Sequence, residues 1–357
     1  MRAGLLGGVA AAAGSASALA QSATPLAAGG PPVAPKVLTV TMYQDLSRPT
    51  DPLGGEASRW IAQHHLDEQI AIPGSFSPLF CNAARDHCLV VTGMGPSNAA
   101  STMMAVGANG QIDLRQTYIL IAGIGGVAPS GGTLGTAAWA EWVVDGSAAN
   151  LIDPRELPSD WLYPFFHLGC GAPWCNDGFT TGTEVYQLDS AMAARAYDIS
   201  KDVALADNAD AKKYRATFSD APALAPPSVI RGDCVCSPSL PSGHILSDYM
   251  AWWMRQWSGG KGTYVMSSAE DTGTLTALRR LADAGRVDWR RVMLLRTGSD
   301  FDRGAPGQSA LDAIEVSGKG GLPIGYDIAL ENAHRVGSAV TDQILGDWER
   351  WRGGPPA

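Results

Sequence analysis

The stretch Cys88–Ala100, CLVVTGMGPSNAA, decides how the rest of the chain is read. Four apolar residues run into two glycines, Gly93 and Gly95, and then into a stretch able to form a helix. That order predicts a buried strand handing over to a helix through a glycine turn, where backbone N–H groups face a ligand. The turn lacks the third glycine of a dinucleotide-binding loop and the Lys-Ser/Thr ending of a phosphate loop, so neither cofactor is expected. Taken alone, Gly93, Gly95 and Asn98 would be a tight turn and nothing more.

Similar apolar runs recur along the chain. They are Lys36–Met42, Thr117–Gly123, Ala138–Gly146, Gly262–Ser268 and Val292–Ser299. Their apolarity is continuous rather than alternating, which suits strands covered on both faces. Helical stripes lie between them: Ala57, Trp60, Ile61 and His64; Leu275, Leu278, Leu281 and Ala282; and a terminal helix from about Tyr326 to Trp348 carrying Val336, Val340 and Ile344. Strands alternating with helices predict an α/β sandwich around a parallel or mixed sheet. From about 153 to 241 the chain turns rich in Pro, Cys and aromatics, which reads as an irregular insertion or lid within a single domain spanning about 36–350.

In a sheet of this kind ligands sit beyond the carboxyl ends of the strands. AGIGGVAP, Ala122–Pro129, is a second apolar run ending in glycines, so Gly123, Gly125 and Gly126 are expected to form a second turn beside the first. Two further strand ends carry polar groups: Glu270 and Asp271 in MSSAED, and Arg296, Ser299, Asp300, Asp302 and Arg303 in LLRTGSDFDR. Each has a bland explanation, because acidic residues favour the first turn of a helix and Asp favours turns. Four such strand ends together suit a ligand with several hydroxyls and a basic ring.

Composition narrows the partners. The chain has 357 residues, 45% of them hydrophobic and 17% charged, which is a globular composition. A net charge of −9 argues against a nucleic-acid polymer, since binding one needs a basic surface. After the N-terminal twenty residues, no stretch reaches the roughly 18 uninterrupted apolar residues of a membrane-spanning helix. Residues 1–20, with Arg2 followed by small and apolar residues and Ala18-Leu19-Ala20, read as a secretory signal, with a flexible leader over 21–35. The six cysteines fall in pairs, Cys81/Cys88, Cys170/Cys175 and Cys234/Cys236, and in an exported chain they predict three local disulfides. A zinc site using Cys234, Cys236 and His244 lacks the usual ligand spacing. An exported protein, periplasmic or extracellular, without metal or cofactor is the expectation.

VVTGMGPSNAAS, IAGIGGVAPSGGTLGTAAWAEWVVDG, GTEVYQLD, YVMSSAEDTGTLTAL and RVMLLRTGSDFD together resemble the purine nucleoside permease (NUP) family over nearly all of the chain from about Lys36. That family is similar to the nucleoside phosphorylase and methylthioadenosine nucleosidase superfamily. The resemblance implies a three-layer sandwich with a twisted mixed sheet and a purine nucleoside as ligand. It implies roles residue by residue. Asp300 is the acid facing purine N7, Glu270 holds the ribose hydroxyls with Met266 and Ser268 near the sugar, and Glu56 orients the attacking water, with Asp45 as the alternative for that last role. Relatives on such a fold often pair subunits, so a homo-oligomer is an expectation. The reaction implied is hydrolysis of the N-glycosidic bond. The alternatives are phosphorolysis, for which Arg48 or Arg59 would have to reach the glycine turns, and nucleoside binding without cleavage, with delivery to a separate membrane transporter.

Overall fold

The computed structural model of the chain describes residues 23–25, 31–173, 175, 177–315 and 322–356, so the segment read as a signal peptide lies outside the described residues. The apolar runs become the strands that place the site. These are β1 (Val37–Thr41), β2 (His87–Val91), β3 (Tyr118–Val127), β4 (Ala137–Ala140), β5 (Trp142–Asp145), β6 (Asp233–Cys236), β7 (Tyr264–Ser268) and β8 (Val292–Phe301). They belong to one mixed sheet.

The long strand β3 organises this sheet. Its first half pairs in parallel with β1, which pairs in parallel with β2. Along nearly all of its length it pairs in parallel with β8. Its last residues, Gly126 and Val127, leave β1 and pair antiparallel with β7. β8 also pairs antiparallel with β4, while β6 lies parallel between β7 and β5.

Helices cover both faces. On one, α2 (Pro96–Ala108) packs against α4 (Asp271–Asp283); a side chain at Gly107 would run into Leu281, and one at Gly273 into the Pro96 carbonyl. On the other lie α1 (Ser58–Gln63) and α5 (Tyr326–Gly346), with Trp60 against Gly337. Between α1 and α5 on one side and α2 and α4 on the other, alternate residues of single strands feed two cores. Leu38, Ile119, Ile121 and Leu294 join Met103 and Leu278; Val37, Leu120 and Leu295 join Val336 and Val340. This is why the strands read as continuous apolar runs, each fully buried Leu, Ile or Val contributing about 1.5–3 kcal/mol. α3 (His244–Trp257) covers the edge near β5, through Tyr249 and Trp253.

Five expectations need correction. AGIGGVAP is no turn: Gly123, Gly125 and Gly126 lie inside β3, because strands on both sides supply the hydrogen bonds that extend it to Val127. Glycine is required there by close approach, since a Cβ at Gly125 would stand 2.1 Å from the Ser267 carbonyl oxygen. Val292–Ser299 likewise continues as β8 to Phe301, with a bulge between Gly298 and Asp300. The stretch 153–241 is irregular only in part, since Val185–Gln187 and Val229–Arg231 join the main sheet at β5 and β4, as does β6. The fourth correction concerns the cysteines. Cys81–Cys88 and Cys170–Cys175 are disulfides, but Cys234 and Cys236 are free and buried. Two residues apart in an extended strand, their Cα atoms are held roughly 6.6 Å apart with parallel side chains, a poor geometry for a bridge. Lastly, the terminal helix stops at Gly346, and a separate turn of helix covers Trp348–Trp351.

Among the described residues no helix is long and apolar enough to cross a membrane.

Candidate active site

Strand β1 ends at Thr41, and the N–H groups just beyond it have no strand partner to bond. The Glu56 carboxylate takes them: Oε2 accepts from Met42 N at 2.7 Å and Tyr43 N at 3.0 Å, and Oε1 accepts from Ile124 N in β3 at 2.8 Å. Three charge-assisted bonds fix this side chain in place. Burial nevertheless pushes its pKa above the ordinary glutamate value, against the pull of Arg296 and the backbone donors.

Arg296, in the middle of β8, is the centre of the cluster. It is buried, and its Nε donates to Asp271 Oδ2 at 3.0 Å, its Nη2 to Asp271 Oδ1, and its Nη1 to the Ile124 carbonyl at 2.8 Å. The same guanidinium stands 3.6 Å from Glu270 and 3.9 Å from Glu56. Asp271, the first residue of α4, also accepts from Ser268 Oγ at 2.6 Å and from the Cys234 thiol at 3.5 Å. Glu270 Oε1 accepts from Gly95 N at 3.2 Å, which ties the opening glycine turn to the carboxylates. Burial raises the Glu270 pKa, Arg296 lowers it, and Glu56 and Asp271 raise it further. Three buried carboxylates thus share one guanidinium.

Gly123 is the packing consequence. A Cβ there would lie 2.5 Å from both Glu56 Oε1 and Arg296 Nη1, so the cluster exists because β3 has no side chain at this position. Three residues further along the strand, roughly 10 Å, Gly126 lies beside Asp300. Asp300 sits on the bulge of β8, and its Oδ1 accepts from Ser299 Oγ at 2.6 Å. It is exposed to solvent, yet enough protein surrounds it that desolvation pushes its pKa up. Both hold for a carboxyl on the floor of a cleft, here lined by Leu134, Tyr214, Phe301, Ala313 and Ile324.

The other expected residues divide. Gly93 and Gly95 form the turn as read, with φ of +79° and +85°, and a side chain at Gly93 would strike Phe76. Asn98 is exposed and donates back to the Met94 carbonyl at 2.8 Å. Met266 is wholly buried in β7, and Ser268 acts on Asp271. Asp45 is bound up with its own loop, Ser47 Oγ at 2.6 Å and Arg48 Nε at 3.0 Å, and it does not join the carboxylate cluster that Glu56 joins. Arg48 pairs with Asp45 and Asp51; Arg59 pairs with Asp327 and Glu331.

Sequence reasoning left Arg296 without a role, although an arginine inside an apolar strand is a signal by itself, since a buried charge must be paired. Asp302, by sequence alone, has no more than turn chemistry to explain it. It is buried, accepts from Ser247 Oγ and, at 2.9 Å, from the Tyr264 hydroxyl, and burial raises its carboxyl to about 6.

Comparison with known proteins gives this geometry its setting. The family model for "Purine nucleoside permease (NUP)" matches residues 34–356. The chain belongs to the purine nucleoside permease family. Within that family it is 30% identical over 333 residues to a Schizosaccharomyces pombe protein named "Probable purine nucleoside permease", covering 89% of this chain and 91% of the relative. It is 30% identical over 324 residues to the purine nucleoside permease of Candida albicans, covering 88% and 76%. Among solved structures, the 5′-methylthioadenosine/S-adenosylhomocysteine nucleosidase of Helicobacter pylori matches with a TM-score of 0.51 at 10% identity, over 88% of this chain and 99% of that one. At that identity the likeness shows the fold alone: a mixed-sheet α/β sandwich of the nucleoside phosphorylase kind.

Proposed function

We propose that this member of the permease family is an exported purine nucleosidase, hydrolysing the N-glycosidic bond of a purine nucleoside to free base and ribose. The observation that carries the proposal is the pair of poles along β3: the Glu56–Arg296–Glu270 cluster at Gly123 and the Asp300 carboxyl beside Gly126. Cleaving a ribosyl–purine bond builds positive charge on the sugar and negative charge on the base. Buried carboxylates favour the first, and a protonated acid at the other pole relieves the second.

In this reading Glu56 takes a proton from water, the water oxygen bonds to C1′ as the C1′–N9 bond breaks, and Asp300 gives its proton to N7 of the departing base. Glu270, held by the Gly95 N–H, faces the ribose hydroxyls, with the Gly93–Gly95 turn as one wall and Ser268 and Asp271 behind. Asp45 is set aside for the water-facing role, and Asn98 serves the turn itself. Ser299 positions Asp300.

Phosphorolysis is disfavoured by charge. Phosphate needs an uncommitted cation, whereas Arg296, Arg48 and Arg59 are each engaged by carboxylates. Export is supported by the two disulfides. The names of the relatives favour a second reading, in which the chain binds a nucleoside without cleaving it and passes it to a transporter. Incubating the purified full chain with inosine or adenosine, with and without phosphate, and measuring released base separates these. Release without phosphate is expected. Release only with phosphate would refute hydrolysis, and tight binding without release would leave the carrier reading standing.

A further inference from the structure

Arg296 is not shared evenly by the three carboxylates around it. Its Nε–Nη2 edge, the fork whose shape matches a carboxylate, lies wholly on Asp271, with Nε donating to Oδ2 at 3.0 Å and Nη2 donating to Oδ1. Nη1 donates to the Ile124 carbonyl at 2.8 Å. Glu270 and Glu56 stand 3.6 and 3.9 Å from the guanidinium, beyond hydrogen-bond distance. The arrangement is locked from the other side of Asp271. That residue is fully buried, its Oδ2 also accepts from the Ser268 hydroxyl at 2.6 Å, and the Cys234 thiol lies 3.5 Å from the same oxygen.

An arginine fork placed on a carboxylate lowers its pKa by about 1 to 3, whereas carboxylates facing one another raise each other's. With the fork on Glu56, that side chain would be a weak base. We propose that Asp271 is a positioning residue: by occupying the fork it cancels Arg296 nearly one for one and leaves Glu56 free to take a proton from water. The inference rests on the role given to Glu56 and adds the residue that keeps it basic. It agrees with the direction found at both glutamates, which stay above the ordinary value although a guanidinium stands beside them. Burial is the largest cause at each, and at Glu270 the charges of Glu56 and Asp271 add to it. The other titratable groups facing these carboxylates are neutral. Burial keeps the Tyr326 phenol of α5, which faces Glu56, and the Cys234 and Cys236 thiols of β6, which face Asp271, protonated.

The test is a displacement on the pH axis. In the full chain Asp271→Asn removes a charge and little volume, and with two carboxylates still beside Arg296 the variant should fold. Released from its fully charged partner, the guanidinium acts more strongly on Glu56, so the acid limb of kcat/KM for inosine should move down by at least about 0.5 pH unit. Ser268→Ala disturbs the same spot but leaves the Asp271 charge in place, and its acid limb should stay within about 0.2 pH unit of the unaltered chain's. A residue that only supports the fold would lower the rate in both variants without separating their limbs. An unmoved limb in a folded Asp271→Asn, or an equal displacement in both variants, overturns the inference while leaving cleavage intact. Carbon-13 NMR of the glutamate carboxyls gives a readout independent of turnover, with the Glu56 signal assigned by its loss in Glu56→Gln. Its midpoint should be lower in Asp271→Asn by the same margin. A Glu56 midpoint in the unaltered chain at or below the ordinary glutamate value, about 4.3, overturns the inference whether or not Asp271→Asn folds. A chain that releases no base from inosine refutes the proposed function, and the carboxyl midpoints still decide what Asp271 does.

Discussion

Replacing Glu56 with glutamine alters one charge and one acceptor, and the structure gives both consequences a size. The carboxylate accepts three backbone N–H groups, two at Oε2 and one at Oε1. An amide has one oxygen, so in its better orientation it serves Met42 and Tyr43 and turns its amino group toward the Ile124 N–H, leaving that donor unpaired. An unsatisfied buried donor costs about 1–3 kcal/mol. Neutralising one of three carboxylates around Arg296 offsets part of this, so the stability loss should lie toward the low end. Against a typical total of about 5–15 kcal/mol the variant still folds. Its activity should fall far more, by about 10²–10⁴, if Glu56 is the base that activates water. The measurements are base release from inosine at saturating substrate and the denaturant midpoint of the same preparation. Turnover within about threefold of the unaltered chain would refute the role given to Glu56. Asp45→Asn is the comparison, expected to stay near full activity because that carboxylate serves only Ser47 and Arg48.

Arg296→Met should be the most destabilising of the site variants, since it strands Glu56, Glu270 and Asp271 without their shared cation; a loss of about 3–5 kcal/mol in unfolding free energy, read as a lower denaturant midpoint, is expected, and an unchanged midpoint would contradict the cluster's account. The rate should rise with pH as Glu56 loses its proton and fall as Asp300 loses its own; burial raises both, so both limbs of kcat/KM against pH should lie above the ordinary carboxylate range near 4. Asp300→Asn should cost at least about a hundredfold, and a variant with full turnover would end the general-acid assignment. Acid should also weaken the fold through histidines remote from the chemistry. Burial pushes His87 down to about 3 and His334 to about 4, with His64 Nε2 3.2 Å from that of His334. The unfolded chain protonates its histidines near 6.5 while the fold does not, so this stability is fully present above about pH 6.5 and is lost as pH falls from there. Between 6.5 and 5 each of the two loses about 2 kcal/mol, and the thermal midpoint should drop accordingly, less steeply in His334→Gln.

How much of this could be read from residues alone varies with the range of the forces involved. The core strands were legible because burial on both faces leaves a continuous apolar run whatever the neighbours are. The turn at Gly93–Gly95 was legible because positive φ is a local demand. The reach of β3 through Gly123, Gly125 and Gly126 was not. A glycine-rich segment has no local preference for extension, and it stays extended here because β8 pairs along it and β7 pairs at its end. Cys234 and Cys236 failed for a related reason: near in sequence, they are held apart by a strand whose existence depends on β5 and β7.

The site divides along the same line. The roles proposed for Asp300, Glu56 and Glu270 come from resemblance to a family, and the choice between Glu56 and Asp45 was open because both follow β1 within a short stretch. What favours Glu56 in the proposed role is that it alone accepts the N–H groups left over where β1 ends. Arg296 shows the limit most directly. Its sequence context, two leucines before it and a threonine after, says only that a charge is buried. What partners it depends on β7 ending at Ser268 and α4 beginning at Asp271, and on Gly123 leaving space across the strand pair. A guanidinium surrounded by three carboxylates is unfavourable to an anion and favourable to a ligand that becomes cationic. The charge imbalance that makes this core costly to fold therefore fits a reaction passing through a positively charged sugar.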